Sequence, residues 1–462
     1  MRKTEEKPQS VRAPRILFAG VSSGCGKTTV TCAVLQALVN RGLKLHAFKC
    51  GPDYIDPMFH EHVIGAKGSN LDPFFYEENT LRYLLARNAE QTELSILEGV
   101  MGYYDGSLTS MEHSTYDVAR ITNTPVVLVV NGRGMAFSIT AIIRGFLSTV
   151  PDSKIRGVII NHVSAASYKI LKTAIEEQFG ERIKVLGYLP VLKDCSFESR
   201  HLGLVTAAEI KDIKEKLQRL AQAAEESIDL DELLTMAQAS EPLVYEDIKI
   251  RKSEVPVRIG VAKDKAFCFY YRDNLELLRT MGAQLKYFSP LTEHELPECD
   301  ALYLGGGYPE LYLEQLSENE TMRKAVKKAL EEGMPCIAEC GGFMYLTQSI
   351  EGYPMVSVLQ GNCENKGKLV RFGYVTLTAK EDNLLCLARE QIKAHEFHHY
   401  DASDCGQGFI ASKRNGKSWD CVITSKSLYA GYPHLPFYAN PLFAERFYDA
   451  AVDFQKTKNG RK

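Results

Sequence analysis

The 462-residue sequence has no apolar run of about 18 residues, the length that suggests a membrane-spanning helix. Its first stretch, "MRKTEEKPQSVRAP", contains no apolar segment of the kind that marks a secretory signal. No Cys-x-x-Cys pair occurs, although 12 cysteines are scattered at irregular spacings. Without a secretory signal, these are expected to be reduced thiols in the cytoplasm. Charge of one sign is also lacking: the formal net charge of -3 gives no global basic field and argues against general nucleic-acid binding. No internal repeat and no low-complexity block is visible. What remains is 45% apolar and 24% charged, ordinary for a globular chain, and too long for a single core.

Short apolar, β-branched runs alternate with helical patterns. "RILFA" (15–19) reads as a first buried strand, and Lys27 to Asn40 as a helix closed by Gly42. "LKLHAFK", "LSILEG", "PVVLVVN", "IRGVIIN" and "VLGYLP" follow, which predicts a parallel α/β sheet. The segment from Ala207 to Ala239 is helical and charged. The alternation pauses in "SEPLVYEDIKIRKSEVP" (240–256), with charges of both signs and two prolines. A second α/β series begins at "VRIGVA" and continues through "QLKYFS", "ALYLGGG" and "PCIAEC". The expected organisation is a tail over 1–13, an α/β domain over 14–245, a linker over 246–256 and a second α/β domain over 257–462.

"AGVSSGCGKTT" (19–29) lies between the first strand and the first helix. Its glycines, Gly24 and Gly26 among them, let backbone N–H groups face a phosphate at a helix N-terminus. Lys27 is expected to meet the β- and γ-phosphates, Thr28 to hold Mg²⁺, and Thr29 to complete the ATP loop. Five residues rather than four separate Gly20 from Gly26. Mg²⁺ also needs carboxylate oxygens. "KCGPDYIDP" offers Asp53 and Asp56, and "ILEGVMGYYDG" offers Glu98 and Asp105. Asp53 and Glu98 sit at strand ends beside the loop, which favours metal binding over a turn-forming Asp or a solvated Glu. For Asp56 and Asp105 spacing leaves both readings open.

"AECGGFMYL" (338–346) places Cys340 between a strand and a helix-like run. Gly341 and Gly342 permit the tight turn that exposes a nucleophile, and a helix N-terminus is expected to lower the thiol pKa. A base is then needed in space, and His434 in "YAGYPHLPFYANP" is the candidate. His395, His398 and His399 in "AHEFHHYD" lie on no convincing helix and have no matching cysteine pair, so packing or substrate contact is preferred over a metal site. "LGGGYPE" (304–310) is either a plain left-handed turn or a donor of N–H groups to an oxyanion, Gly306 and Gly307 acting with Gly341.

Together "SSGCGKTT", "KCGPDYIDP", "SNLDPF", "EGVMGYYDG", "SRHLGL", "LGGGYPE", "ECGGFMYL", "HEFHHY" and "YPHLPF" resemble the cobyrinate a,c-diamide synthase family. The resemblance implies a dethiobiotin-synthetase-like P-loop NTPase domain followed by a class I glutamine amidotransferase domain. It further implies that Cys340, with His434 as base, releases ammonia from L-glutamine. ATP with Mg²⁺ then activates carboxylates of cobyrinate at the other site, with Asp56, Asp105, Arg200 and His201 as participants. Free ammonia would serve as an alternative donor, and a homodimer is compatible with this reading. The same motifs serve amidation of Ni-sirohydrochlorin or hydrogenobyrinate, and the deviant loop alone would also fit a P-loop switch protein. Many class I glutaminases place a third carboxylate two residues after the histidine. Here that position is Pro436, so a Cys–His dyad is expected. Ala394 stands where a glycine usually precedes the "HEFHH" motif.

Overall fold

The computed structural model describes residues 8–107, 109–192, 195 and 207–460. The chain forms two compact units, Met1–Ile248 and Lys249–Lys462.

In the first unit, seven parallel strands form one sheet among the described residues. Across the sheet the strands run Lys67–Leu71, Leu45–Cys50, Leu94–Glu98, Arg15–Gly20, Val126–Asn131, Ile155–Asn161 and Lys184–Leu189. The inner strands are buried on both faces, which is why they read as unbroken apolar runs. Lys67–Leu71 was not legible in this way: "KGSNL" is polar, and it sits at the sheet edge. The helix Lys27–Asn40 packs its apolar side on the sheet, with Val30, Val34, Leu35 and Leu38 fully buried. The charged helix Ala207–Ser227 lies against it.

In the second unit a six-stranded sheet carries the site. Its order is Gln284–Phe288, Arg258–Ala262, Ala301–Leu304, Cys336–Glu339, Leu428–Gly431 and Ile423–Thr424. All neighbours are parallel except the last pair. Two further sheets form beside it. One is an antiparallel sheet in the order Gln391–His398, Arg371–Ala379, Phe409–Ser412 and Ser418–Cys421. The "HEFHH" segment therefore begins on a strand, where alternate residues face opposite sides. Among the described residues no helix is long and apolar enough to cross a membrane.

Candidate functional site

The first unit gathers charge at the carboxyl ends of its central strands. Gly26 adopts φ 89° and caps the helix Lys27–Asn40. A Cβ there would overlap the Asn161 side-chain amide, so glycine is required both by the left-handed backbone and by contact. Asn161 Nδ2 also donates to the Cys25 carbonyl at 3.0 Å, so the end of a second strand braces the loop. Gly24 has φ 76°, whereas Thr29 simply lies in the first helical turn. Burial lowers the Lys27 pKa, with nearby Glu98 opposing that shift.

Thr28 Oγ1 donates to Glu98 Oε1 at 2.6 Å. Glu98 ends its strand directly opposite Lys49, and Lys49 Nζ donates to the same oxygen at 2.8 Å. Lys49 also forms an ion pair with Asp56. His60 Nε2 lies 3.4 Å from Glu98 Oε2. Burial alone would lower the Lys49 pKa and raise that of Glu98. The surrounding opposite charges win, holding the ammonium well above and the carboxylate well below their usual values. Neither Lys49 nor His60 was singled out from sequence. Lys49 lies inside a quoted motif, and a lysine at the end of a buried strand signals a required counter-charge. His60 offers no comparable pattern.

Asp53 Oδ1 accepts the Ile55 N–H at 2.8 Å and the Asp56 N–H at 3.4 Å, holding the turn into the helix Ile55–Phe59. Burial, then repulsion from Asp56, raises its pKa to about 6. Asp105 is exposed and accepts the Gly102 N–H at 2.8 Å, closing its own loop. Arg200 and His201 lie outside the described residues. The Thr28 hydroxyl and the carboxylates of Asp53 and Glu98 are hard oxygen donors of the kind Mg²⁺ takes. Among the described residues no three acidic, His or Cys side chains already converge as a metal cage.

In the second unit Cys340 follows the strand Cys336–Glu339 and caps the helix Gly341–Leu346. Its backbone is strained, with φ 48° and ψ −103°. The strain falls on the cysteine itself rather than on the glycines. Their role is close approach: a Cβ on Gly342 would overlap the Leu304 carbonyl, and one on Gly341 would lie 2.9 Å from Pro309 Cδ. The Cys340 N–H donates to the Gly431 carbonyl at 2.8 Å, and its carbonyl accepts the Met344 N–H at 2.9 Å.

The expected lowering of the thiol pKa does not hold. Burial pushes it up, Glu310, Glu339 and Glu396 add to that, and the Gly341 N–H only partly opposes them. Both effects favour the protonated thiol at rest.

The "LGGGYPE" turn lies against this elbow. Gly342 N–H donates to the Gly305 carbonyl at 2.9 Å, and Gly305 N–H donates to Tyr270 Oη at 2.8 Å. The Gly306 carbonyl accepts from Cys268 and Phe269. Gly307 adopts φ 155° close to the Ala266 carbonyl, and its N lies 3.1 Å from where a Gly341 Cβ would stand. The His434 ring packs on Gly306, whose added Cβ would stand 2.5 Å from Cε1. Gly306 thus touches the histidine ring, and its neighbour Gly307 touches the elbow.

His434 exchanges backbone bonds with His395, at 2.9 and 3.3 Å. His395, pushed down to about 3 by burial and then by His434, is neutral near pH 7. The His398 ring stacks on Tyr432 at 3.7 Å and bonds the Tyr400 carbonyl through Nδ1 at 2.6 Å. Beside the expected Cys–His pair stands a further carboxylate: Glu339, buried at 1% exposure, has Oε2 3.5 Å from His434 Nδ1. A carboxylate placed before the nucleophile leaves no mark in the residues that follow the histidine.

Residues 16–204 match the CobQ/CobB/MinD/ParA nucleotide binding domain, and residues 258–442 match the CobB/CobQ-like glutamine amidotransferase domain. The chain is 42% identical to a cobyrinate a,c-diamide synthase of Clostridium acetobutylicum, over 92% of this chain and 97% of that one. Proteins of the same name from Listeria innocua and Fusobacterium nucleatum are 39% and 40% identical, each over 94% of this chain and 99% of its own length.

Proposed function

The chain belongs to the cobyrinate a,c-diamide synthase family, and from that premise we propose that it amidates the a and c carboxylates of cobyrinate, using glutamine nitrogen and ATP. The observation that carries the reading is the end-to-end match to those enzymes in a chain that holds both a P-loop charge cluster and a strained cysteine elbow.

In the glutaminase unit, Cys340 Sγ attacks the side-chain amide carbon of glutamine. The thiol proton passes to His434, the carbonyl electrons move to oxygen, and N–H groups of Gly341 and the Gly306–Gly307 turn face that oxygen. Collapse breaks the C–N bond, and ammonia leaves with the proton held by His434. Water then releases glutamate from the thioester.

In the nucleotide unit a carboxylate is too poor an electrophile for ammonia. Transfer of the γ-phosphoryl group to it gives an acyl phosphate, from which ammonia displaces phosphate. Lys27 meets the phosphates, and Lys49 keeps Glu98 ionised and holds Glu98 and Asp56 in place. Thr28, Asp53 and Glu98 would hold Mg²⁺, whose charge offsets that of the phosphates when bound. All twelve cysteines are free thiols, which suits a reducing compartment, and the proposal places the enzyme in the cytoplasm.

The test is ADP release with glutamine, offering cobyrinate and Ni-sirohydrochlorin separately, for the wild type and Cys340→Ala. Cobyrinate-dependent turnover is expected, and in the variant it should require added ammonia. Turnover with Ni-sirohydrochlorin alone would move the substrate and keep the chemistry. No stimulation by either would overturn the assignment.

A further inference from the structure

We propose that Glu339 is the positioning carboxylate of the glutaminase site, supplied from the strand before the nucleophile rather than from the chain after the histidine. This rests on the glutaminase reading above.

Glu339 is the last residue of the strand Cys336–Glu339 and pairs in register with Gly431 on the neighbouring strand. The chain beyond Gly431 turns back and brings His434 over the end of Glu339's own strand. Glu339 Oε1 accepts the Leu435 N–H at 3.1 Å, and Oε2 accepts from Tyr303 Oη at 3.3 Å. His434 Nδ1 stands 3.5 Å from the same Oε2. One carboxylate thus bonds the backbone of the histidine segment and faces its ring.

Asn274 locks the segment further. Its Nδ2 donates to the Leu435 carbonyl at 2.6 Å, and its Oδ1 accepts the Phe437 N–H at 2.7 Å. Asn274 Nδ2 also reaches Tyr303 Oη at 3.4 Å. Tyr303, Asn274 and Glu339 are each buried to 1% exposure or less, so the network is fixed before substrate arrives.

The ring therefore has two different sides. Nδ1 faces the carboxylate, whereas Nε2 lies 3.3 Å from where a Gly306 Cβ would stand, on the side of the oxyanion turn. A proton on Nδ1 directed at Glu339 leaves Nε2 with the lone pair that takes the Cys340 thiol proton. When the Sγ–C bond forms, that proton moves to Nε2 and the ring becomes cationic. The Glu339 carboxylate, already in place, offsets the new charge until the proton leaves with ammonia. Contacts of this kind are often long in a resting site and tighten in the complex. A histidine held by a carboxylate on its far nitrogen is the arrangement used for nucleophile activation in general. Position 436, where this family's relatives within class I often carry the third carboxylate, is a proline here.

A purely structural Glu339 would serve only as the acceptor for Leu435, and Glu339→Gln separates the two roles. It keeps an oxygen acceptor and nearly the same volume but removes the charge. The ratio of glutamine- to ammonia-supported turnover is expected to fall roughly 100-fold, through kcat, with KM for glutamine within about twofold. Glu339→Asp should recover part of the loss. A Gln variant within about threefold of wild type in kcat would overturn the proposal. So would a parallel rise in KM and fall in melting temperature that Asp does not relieve.

If the Gln variant does not fold, ring ¹⁵N spectra of the unmodified chain decide. His434, assigned by its absence in His434→Asn, should be protonated at Nδ1 and bare at Nε2, and the opposite tautomer would overturn the proposal. A wild-type chain that uses ammonia but never glutamine would overturn the glutaminase reading and this proposal with it, and that result appears before any variant is made.

Discussion

Glu396, one residue along the strand from His395, is buried at 1% exposure. Burial raises its pKa to about 7, while Arg371, Lys413 and the Trp419 N–H pull it down and Asp401 pushes it up. The unfolded value is near 4.5, so between these values the folded chain binds the extra proton. Folding is therefore favoured at low pH by this group and loses that contribution as pH rises from about 4.5 through 7. Glu396→Gln should stabilise the second unit by about 2 kcal/mol at pH 8, with the gain vanishing near pH 4. Urea midpoints of both proteins at the two pH values check this, and an equal gain at both would show that the carboxyl is not the cause. His395 and His398, lowered to about 3 and about 4, act in the opposite sense below pH 6.5, but equally in both proteins. The Lys49 cluster resolves differently, because there each buried charge has a partner.

At the scale of elements, the glycine turn after Ala301–Leu304 sets where the histidine can sit. Gly306 is outside the left-handed region, so an alanine meets no backbone penalty there and only the ring contact is at issue. Gly306→Ala should displace His434 and lower glutamine-supported turnover about 100-fold relative to ammonia-supported turnover. Retained glutaminase activity would show that the ring has room to retreat. The elements around this turn were unevenly legible. Central parallel strands such as Val126–Asn131 announce themselves, because burial on both faces demands continuous apolar residues. The strand Arg371–Ala379 buries Val375, Leu377 and Ala379 in alternation with half-buried threonines, a period-two pattern blurred at its start by Gly373 at φ 102°. Cys340 and His434 were findable from residue type and local context. Glu339 was not, since its meeting with His434 depends on the pairing of two strands about 90 residues apart in sequence. Lys49 needed the same kind of information, the register that sets it opposite Glu98.

For the whole molecule, each compact unit has its own core, one built around the helix Lys27–Asn40 and the other around Phe343, Tyr345 and Leu302. Two calorimetric transitions are expected rather than one. A non-hydrolysable ATP analogue with Mg²⁺ at several hundred times its Kd should raise one of them by roughly 5–10 °C. A glutamine analogue that alkylates Cys340 should raise the other. A single transition moved by both would show that the units unfold together. The elbow has one more consequence for the chain as a whole. Peroxide and disulfides react with thiolates, and the resting Cys340 is a buried thiol that keeps its proton. The group that must be most reactive during turnover is thus chemically quiet between turnovers. The burial that pushes its pKa up also disfavours its oxidation between turnovers.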